Sequence, residues 1–401
     1  MKKAIVFVGL FGLLGLFGVI RAQVSLDWHG FVNPHYYADS RSVVGGREDM
    51  MLFYPKPVVL DSLGNDINDG WQANMLAITA RLGLTVTGPD MLGAKTSAYI
   101  EGDFTGATNA TINNLRLRHA YILMDWYKNY GEFQSLKHSL RIGQYWYPMV
   151  IHEIMPMTNP LNMGAPFHCY ARQPQVRYEF ISHRFEVVAA ASWRLDNMSQ
   201  GLLNGTPMTS PGSTQFARHS LVPELNLQLR YHSSHLFVGV AANLKTIQPI
   251  VPDPQGNLYS SFSWSVFGKA TLGPVTLKAQ TLLNNSLYEG CSLGGYLMLA
   301  DSTFQDWHFN TVWLDVEKST GHWRPGLFLG FAKNLDYGHH ADALHIFGRG
   351  HDLEYLWRIQ PRLTYKTLTG LDFTAEAEYT RAGYADPVGN LRLSLSMVYS
   401  F

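Results

Sequence analysis

Apolar and polar residues alternate with a period of two along almost the whole chain, in segments of about ten to fifteen residues. In the segment 352–367, Trp357 and Ile359 share one face of a strand, whereas Glu354 and Arg358 share the other. A face rich in Arg, Glu and Gln cannot lie against lipid, because a charge at the middle of a bilayer costs about 2–4 kcal/mol. The pattern therefore predicts strands with one apolar side and one side that faces water.

Sixteen segments show this pattern, an even number, as single-chain antiparallel barrels require. The predicted strands are 24–38, 74–87, 94–105, 113–126, 135–146, 171–182, 184–196, 221–232, 234–247, 258–272, 275–287, 303–318, 322–333, 352–367, 370–382 and 390–401. The stretch 288–302 is a candidate for a further short strand. Short connections alternate with mostly longer loops, which is typical of short periplasmic turns and long extracellular loops. We therefore predict an all-β fold, a transmembrane antiparallel β-barrel of about sixteen strands.

The composition supports a barrel over two soluble domains. Charged residues make up 15% of the chain, against about 25% in soluble proteins. After Ile20, no apolar run is long enough for a helix to cross a bilayer. Low charge without helical spans fits a barrel with lipid outside and water inside. The aromatic residues expected in interfacial girdles are Trp126, Tyr145, Trp146, Tyr355 and Tyr399.

The first residues have the pattern of a secretory signal. Lys2 and Lys3 precede an apolar and glycine run, and Ala22 offers a small residue before a cleavage point. We expect residues 1–22 to be a signal peptide and 23–401 to be the barrel, with an uncleaved membrane anchor as the alternative. Cleavage leaves 28 basic residues against 31 acidic ones, so nothing indicates nucleic acid as a partner.

The end of the chain is the most specific signal. Its apolar face consists of Leu391, Leu393, Leu395, Met397, Tyr399 and Phe401. The opposite face carries Arg392 and three serines, and Val398 is its exception. A soluble edge strand is the alternative, but a soluble protein would have to cover such a row of apolar side chains. The pattern resembles the terminal strand that outer-membrane assembly machinery recognises, with Tyr399 and Phe401 on the recognised face.

Three segments, LRLRHAY at 115–121, LRIGQYW at 140–146 and RQPQVRY at 172–178, carry a family likeness. They resemble strands four to six of DcaP-type porins and, more distantly, of phosphate-selective porins. The resemblance implies a sixteen-stranded trimer, with the third loop folded into the lumen, that passes small and often anionic solutes. DcaP-type porins often carry an N-terminal coiled coil, whereas here strand one follows the signal directly.

The predicted lumen face is rich in arginine. By strand phase, these arginines are Arg116, Arg118, Arg141, Arg172, Arg177, Arg358, Arg362 and Arg392. The first five flank the third long loop, where Glu179 is the nearby acid. Because Arg keeps its charge and binds carboxylate or phosphate through two hydrogen bonds, these residues are candidates for an anion-selective pore lining. For the five arginines beside the third long loop, the alternative is an Arg–Glu network that braces the wall, with Glu179 and Glu224 as partners.

The loop 147–170 is rich in proline and in apolar residues such as Val150 and Ile151. A loop this apolar is not expected to extend into water, so we predict that it folds into the barrel and narrows the lumen. His152 and Glu153 are its polar candidates at the narrowest point. The alternatives are an outer cap and a contact between subunits.

Other motifs predict little chemistry. Cys169 and Cys291 fall in or beside predicted outer loops, where the compartment permits a disulfide between loops three and six. The four histidines of loop seven, which match no ligand spacing, are His339, His340, His345 and His351. No nucleophile elbow or metal motif indicates an enzyme, and no cofactor is expected.

Together, these patterns predict a homotrimeric outer-membrane porin, embedded in lipid, for small hydrophilic and anionic solutes. One alternative is a gated transporter for hydrophobic or bulky solutes, in which the loop 39–73 would serve as a plug. Two others are an outer-membrane enzyme such as a lipase, and a surface scaffold or adhesin that does not conduct.

Overall fold

A computed structural model provides the structure of the chain. It describes residues 24–129, 135–159, 163–195, 198–284, 286–338 and 342–401. The predicted signal peptide, 1–22, lies outside these residues. Among the described residues, no helix is long and apolar enough to cross a membrane.

The described residues are almost entirely strands, joined by turns and loops. The strands are β1 Ser25–Val32, β2 His35–Arg41, β3 Val43–Gly46, β4 Met51–Pro55, β5 Asp69–Leu76, β6 Arg81–Thr87, β7 Lys95–Asp103, β8 Arg116–Asn129, β9 Ser135–Trp146, β10 Arg172–Ile181, β11 Phe185–Ser192, β12 Ser199–Leu203, β13 Thr206–Ser213, β14 Glu224–His232, β15 Leu236–Ile247, β16 Ile250–Val251, β17 Tyr259–Leu272, β18 Val275–Asn284, β19 Gly294–Leu299, β20 Phe304–Trp307, β21 Phe309–Lys318, β22 Trp323–Asn334, β23 Ala343–Arg349, β24 Tyr355–Lys366, β25 Leu371–Ala382 and β26 Val388–Ser400. Short helical segments are α1 Gln215–Ser220 and 3₁₀ turns at Asn109–Thr111, His152–Ile154 and Tyr288–Gly290.

Eighteen of these strands form one sheet, in which sequential neighbours pair antiparallel. β1 and β2 are two halves of one wall strand, separated at Asn33 and Pro34, and they pair with β6 and β5, which are the two halves of the next wall strand. Proline has no amide to donate, which accounts for the interruption. β26 pairs with β25 on one side and with β2 on the other, so the sheet closes on itself. The prediction of a closed antiparallel barrel with sixteen wall strands is confirmed.

The two faces of each wall strand separate as the alternation predicts. On β14, Leu225, Leu227 and Leu229 are exposed on the outside, whereas Gln228 and Arg230 point inwards and are buried. The same division continues through β24 and β26. The exposed apolar side chains give the barrel an outer surface suited to lipid, where water would leave them unfavourably solvated.

Long loops gather at one end of the barrel, and short turns join the strands at the other. We name three of the long loops L1 (42–68), L3 (147–171) and L6 (285–308). L1 contains the hairpin of β3 and β4. Two further small sheets, β12–β13–β16 and β19–β20–β23, are built from loop residues. The stretch 288–302 does contain a strand, β19, but it belongs to one of these loop sheets and not to the wall.

L3 lies inside the barrel and packs against its inner wall. Ile151 and Phe167 are fully buried in one apolar cluster with Trp313 and Phe328 of the wall. The amide of Asn159, further along L3, donates hydrogen bonds of 3.1 Å to the Glu376 carboxylate. The apolar composition of this loop therefore supplies a hydrophobic core within the lumen.

Phe401 completes the closure of the barrel at the short-turn end. Its amide and carbonyl exchange hydrogen bonds of 3.0 Å with Gly30 of β1. Its ring lies over Gly30, where an added Cβ would come within 2.9 Å of the ring. Only glycine leaves room for this contact.

Removing Phe401 is expected to lower the amount of heat-modifiable barrel in the membrane. The deletion eliminates both hydrogen bonds to Gly30, each worth about 0.5–1.5 kcal/mol, and the ring contact. The measurement is the folded fraction by gel mobility with and without heating. Phe401→Tyr keeps these contacts and serves as the matched control. Normal folded levels after the deletion would contradict the prediction.

Candidate pore wall and lumen site

One side of the lumen is filled by L1 and L3, and Arg358 of β24 holds both loops. Its guanidinium pairs with Glu378 at 3.0 Å and donates to the carbonyl of Ala165 in L3 at 2.8 Å. It also donates to the carbonyls of Leu52 and Phe53 in L1 at 3.0 and 3.1 Å. Arg358 is 1% exposed. Its phase is inward, as the sequence indicates, but the loops cover it.

Arg392 and Arg362 are placed similarly. Arg392 binds Asp39 through two hydrogen bonds of 2.6 and 2.9 Å and donates to the carbonyl of Met50 in L1 at 3.0 Å. Arg362 binds Asp315 through hydrogen bonds of 2.7 and 3.1 Å. These three arginines therefore brace the wall and its loops.

A second group of arginines lies on β6 and β8, beside two carboxylates of β7. Arg118 binds Glu101 at 2.5 Å and Asp103 at 2.7 Å. Arg116 binds Asp103 at 3.0 Å, and Arg81 lies 3.5 Å from Glu101. Three guanidinium groups thus share two carboxylates, which leaves positive charge in excess. We call these three arginines, together with Arg172, the arginine cluster.

A β-bulge on β8 increases the density of polar groups in this region. Leu117 and Ile122 both face outwards, although an odd and an even residue cannot share a face in a regular strand. The register between β7 and β8 shifts at this point. Arg118 and His119 consequently both point into the barrel and are buried. Bulges commonly redirect side chains in this way next to functional sites.

Arg172 differs from the other members of the cluster. Among the described residues it forms no ion pair with a carboxylate, although it is only 3% exposed. Its guanidinium stacks on the rings of Trp146 and Tyr170, at 5.0 and 5.2 Å from their centroids. Burial alone would raise the pKa of Tyr170, but Arg118, Arg172 and Arg81 outweigh it and lower the pKa to about 7. The cluster therefore produces a strong positive field at this position.

A cavity of about 480 Å³ opens in front of the arginine cluster. L1, L6 and other long loops form its remaining walls. The charged residues that line it are Arg47, Arg81, Arg116, Arg118, Arg172, Arg349, Asp103 and Glu289. Six arginines thus face two carboxylates, and both carboxylates are already bound, Asp103 to the cluster and Glu289 to Lys245 at 2.8 Å. The cavity therefore has the charge to receive an anion.

A second basic group lies where β9 and β10 pair. Arg177 binds Glu179 at 2.5 Å, and Arg141 lies 3.4 Å from the same carboxylate. Arg141 also stacks on Tyr145, with its guanidinium 3.9 Å from the ring centroid. Glu179 is therefore the partner that sequence reasoning proposed for these arginines, whereas Glu224 pairs elsewhere, with Arg194 at 2.7 Å.

The tip of L3 approaches this second group. Glu153 binds Arg230 of β14 at 2.8 Å and lies 3.3 Å from His152. The His152 ring lies 6.0 Å from that of Tyr145. The two polar residues chosen from the L3 sequence thus sit inside the barrel between β9 and β14, with side chains partly open to water.

Sequence reasoning missed part of the site and misplaced two aromatic residues. Arg81, Glu101 and Asp103 were not chosen, although alternation in β6 and β7 places them on the lumen side. Tyr145 and Trp146, expected in an interfacial girdle, instead stack on arginines inside the barrel. The inward phase of Arg141 already implied an inward Tyr145, four residues on.

The predicted histidine group of loop seven is only partly described. His339 and His340 lie outside the described residues. Within the described ranges, no group of three or more His, Cys, Asp or Glu residues is arranged to hold a metal ion.

Solved structures similar to this one are outer-membrane channels. The outer membrane channel DcaP of Acinetobacter baumannii matches with a TM-score of 0.69 at 17% identity, covering 94% of this chain and 97% of that one. The chain has a porin fold. An anion-selective porin from Comamonas acidovorans, at 10% identity, has a TM-score of 0.55 and covers 94% of this chain and 100% of its own. OmpF of Salmonella typhi has a TM-score of 0.53 at 11% identity over 94% and 97%. No protein-family model and no curated protein sequence matches this chain.

Proposed function

We propose that the chain is an outer-membrane porin that lets small hydrophilic anions diffuse through its lumen. A signal peptide, removed after Ala22, would direct its export. The porin fold supports a channel rather than an enzyme or a scaffold. The exposed apolar outer face fits a lipid bilayer. Insertion would depend on assembly machinery that recognises the strand ending at Tyr399 and Phe401.

The observation that carries the anion preference is the guanidinium of Arg172, which pairs with no carboxylate among the described residues and lies in a cavity lined by six arginines and two carboxylates. Rings of Arg favour anions as rings of Asp or Glu favour cations. Charge near a narrow, low-dielectric passage controls selectivity, because distant charges are screened within about 8–10 Å. The small net negative charge of the mature chain is therefore outweighed at the site.

L3 would narrow the passage. It occupies the lumen beside β21 to β25 and directs His152 and Glu153 towards the arginines of β9 and β10. A solute would then move along the wall of β6 to β10, from the arginine cluster to Arg141 and Arg177. Each step offers a guanidinium and an aromatic ring.

The zero-current potential of the purified protein in a KCl gradient across a planar bilayer tests this function. Anion selectivity is expected for the wild type. The double variant Arg116→Ala with Arg141→Ala should be less selective, because Asp103 and Glu179 each lose one of their cationic partners. A cation-selective wild type, or unchanged selectivity in the variant, would contradict the assignment.

A gated transporter is the second candidate, because L1 as well as L3 lies inside the barrel. The hairpin of β3 and β4 is held there by Arg358 and Arg392. If L1 is a gate, the wild type should show little basal conductance and open when the solute is added. Steady open channels without any solute would exclude this alternative.

We expect a homotrimer that contacts through the outer face of β24 to β26. Small side chains, Ala375 and Ala377, line a shallow apolar groove of about 630 Å³ there, and small residues let neighbouring surfaces approach closely. Ala375→Trp should fill the groove and shift native mass spectra in mild detergent from trimer towards monomer. Ala191→Trp, on the outer face of β11, is the matched control. A monomeric wild type, or loss of the trimer only in the control, would contradict this contact.

A further inference from the structure

Two buried cysteines meet where the end of L3 touches L6. The structure holds Cys169 and Cys291 as buried thiols. The amide of Tyr170 donates a 2.7 Å hydrogen bond to the carbonyl of Gly290. The sulfur of Cys169 lies 3.2 Å from the Ser292 hydroxyl, and a Cβ on Gly290 would lie 3.7 Å from the same sulfur. Cys291 therefore lies between Gly290, whose Cα faces the Cys169 side chain, and Ser292, whose hydroxyl contacts the Cys169 sulfur.

This bracketing matches what a disulfide requires. Consecutive Cα atoms lie about 3.8 Å apart, so a residue between two contact residues cannot be far from the shared partner. Disulfides join cysteines whose Cα atoms are about 4.4–6.8 Å apart. Both residues also belong to the same apolar cluster. Cys169 and Cys291 are therefore neighbours in the docked loops.

We propose that Cys169 and Cys291 form an intramolecular disulfide in the exported protein and thereby fix the end of L3 to L6. The proposal rests on the proposed export, because such bonds persist in the periplasm and at the cell surface but are rare in the cytosol. It does not depend on which solutes the barrel conducts.

The bond forms by thiol–disulfide exchange with a periplasmic dithiol oxidase. One cysteine thiolate attacks a sulfur of the oxidase disulfide and releases the other as a thiolate, giving a mixed disulfide. The second cysteine thiolate then attacks the bonded sulfur of its partner cysteine and releases the oxidase. The protein loses two protons and two electrons, and the oxidase disulfide is reduced to a dithiol.

The timing follows from burial. Burial raises the pKa of the Cys169 thiol, the Ser292 hydrogen bond lowers it and the nearby Cys291 raises it, and the pKa that results is about 12. Since the thiolate is the reactive form, the docked loops offer little of it. The bond therefore forms while the loops are still open during assembly. Once L3 and L6 dock, the same burial protects it from reductants.

The disulfide would frame the candidate site. Tyr170 follows Cys169 directly and stacks on Arg172, and Glu289, Cys291 and Tyr170 all line the cavity of the arginine cluster. A covalent link at this point keeps the phenol of Tyr170 beside the arginines when the outer loops move. The disulfide would thus hold the part of the cavity wall formed by L3 and L6 in place.

The test is a thiol count on the full chain exported to the periplasm of a bacterial host. Cells are quenched in acid, and the protein is denatured in N-ethylmaleimide and weighed by mass spectrometry. We expect no maleimide adducts without a reductant and two adducts after reduction. Peptide mapping should recover one fragment that links Cys169 to Cys291.

Cys169→Ala and Cys291→Ala are the matched controls, and each should take up one maleimide without reduction. Two adducts on the unreduced wild type, or a disulfide-linked dimer on a nonreducing gel, would overturn the proposal. Conductance is recorded on the same sample. An absent conductance with a closed disulfide would count against the porin function alone, and an open thiol pair in a conducting barrel against the disulfide alone.

Discussion

Arg172→Glu is expected to lower the anion-over-cation permeability ratio about a hundredfold, because the anion and the cation are each affected about tenfold in opposite directions. The change alters the charge of the cavity by two units, which at ~6 Å in a water-like dielectric corresponds to about 1.4 kcal/mol for a monovalent ion. The new carboxylate lies beside the arginine cluster and can pair with it, so the fold should tolerate the change. The measurement is the zero-current potential in a KCl gradient.

Arg184→Glu provides the matched control for this charge reversal. Arg184 is exposed on the short turn between β10 and β11, so the same two-unit change occurs away from the cavity. Arg172→Gln should produce about half the shift in free energy, because it removes one charge instead of two. An unchanged potential in Arg172→Glu, or an equal shift in Arg184→Glu, would show that the cluster does not control selectivity.

Arg358→Ala is expected to destabilise the barrel by about 3–5 kcal/mol and to raise its conductance. The guanidinium binds Glu378 and also three backbone carbonyls, one in L3 and two in L1. Its removal leaves a buried carboxylate without this cation and frees both loops from one wall. Thermal unfolding measured by gel mobility reports the stability, and single-channel recordings report the conductance and its fluctuations.

Arg358→Lys separates charge from geometry in the same position. Lysine keeps the positive charge near Glu378, but it lacks the planar fork that reaches L1 and L3 together. We expect intermediate stability and a conductance close to that of the alanine variant. If the alanine variant retains both wild-type stability and wild-type conductance, Arg358 is not the residue that holds the loops.

The wall of the barrel is predictable because its pattern is local. In β14, β24 and β26 the choice between apolar and charged residues follows directly from lipid on one side and water on the other. The strand over 135–146 was predicted at its observed bounds for this reason. The prediction was weakest in the first two wall strands, where Pro34 interrupts the ladder and the chain continues to Arg41.

The interior was harder to predict because it depends on contacts between distant segments. Alternation shows that Arg358 and Arg172 both face inwards, but not that L1 and L3 cover the first and leave the second beside a cavity. The bulge that adds His119 to the lumen beside Arg118 breaks the alternation itself. L1 has an apolar run of its own, from Met50 to Tyr54, but alternation does not show that two arginines of the wall bind its backbone carbonyls.

The seam between β2 and β26 has a consequence for the order of events in biogenesis. Asp39 meets Asn390 and Arg392 across about 350 residues of chain, and these are contacts that close the ring. Until β26 pairs with β2, the sheet remains open, however much of the wall has already formed. Sealing is therefore a single late step, and the chain must be kept from aggregating until synthesis and export are complete.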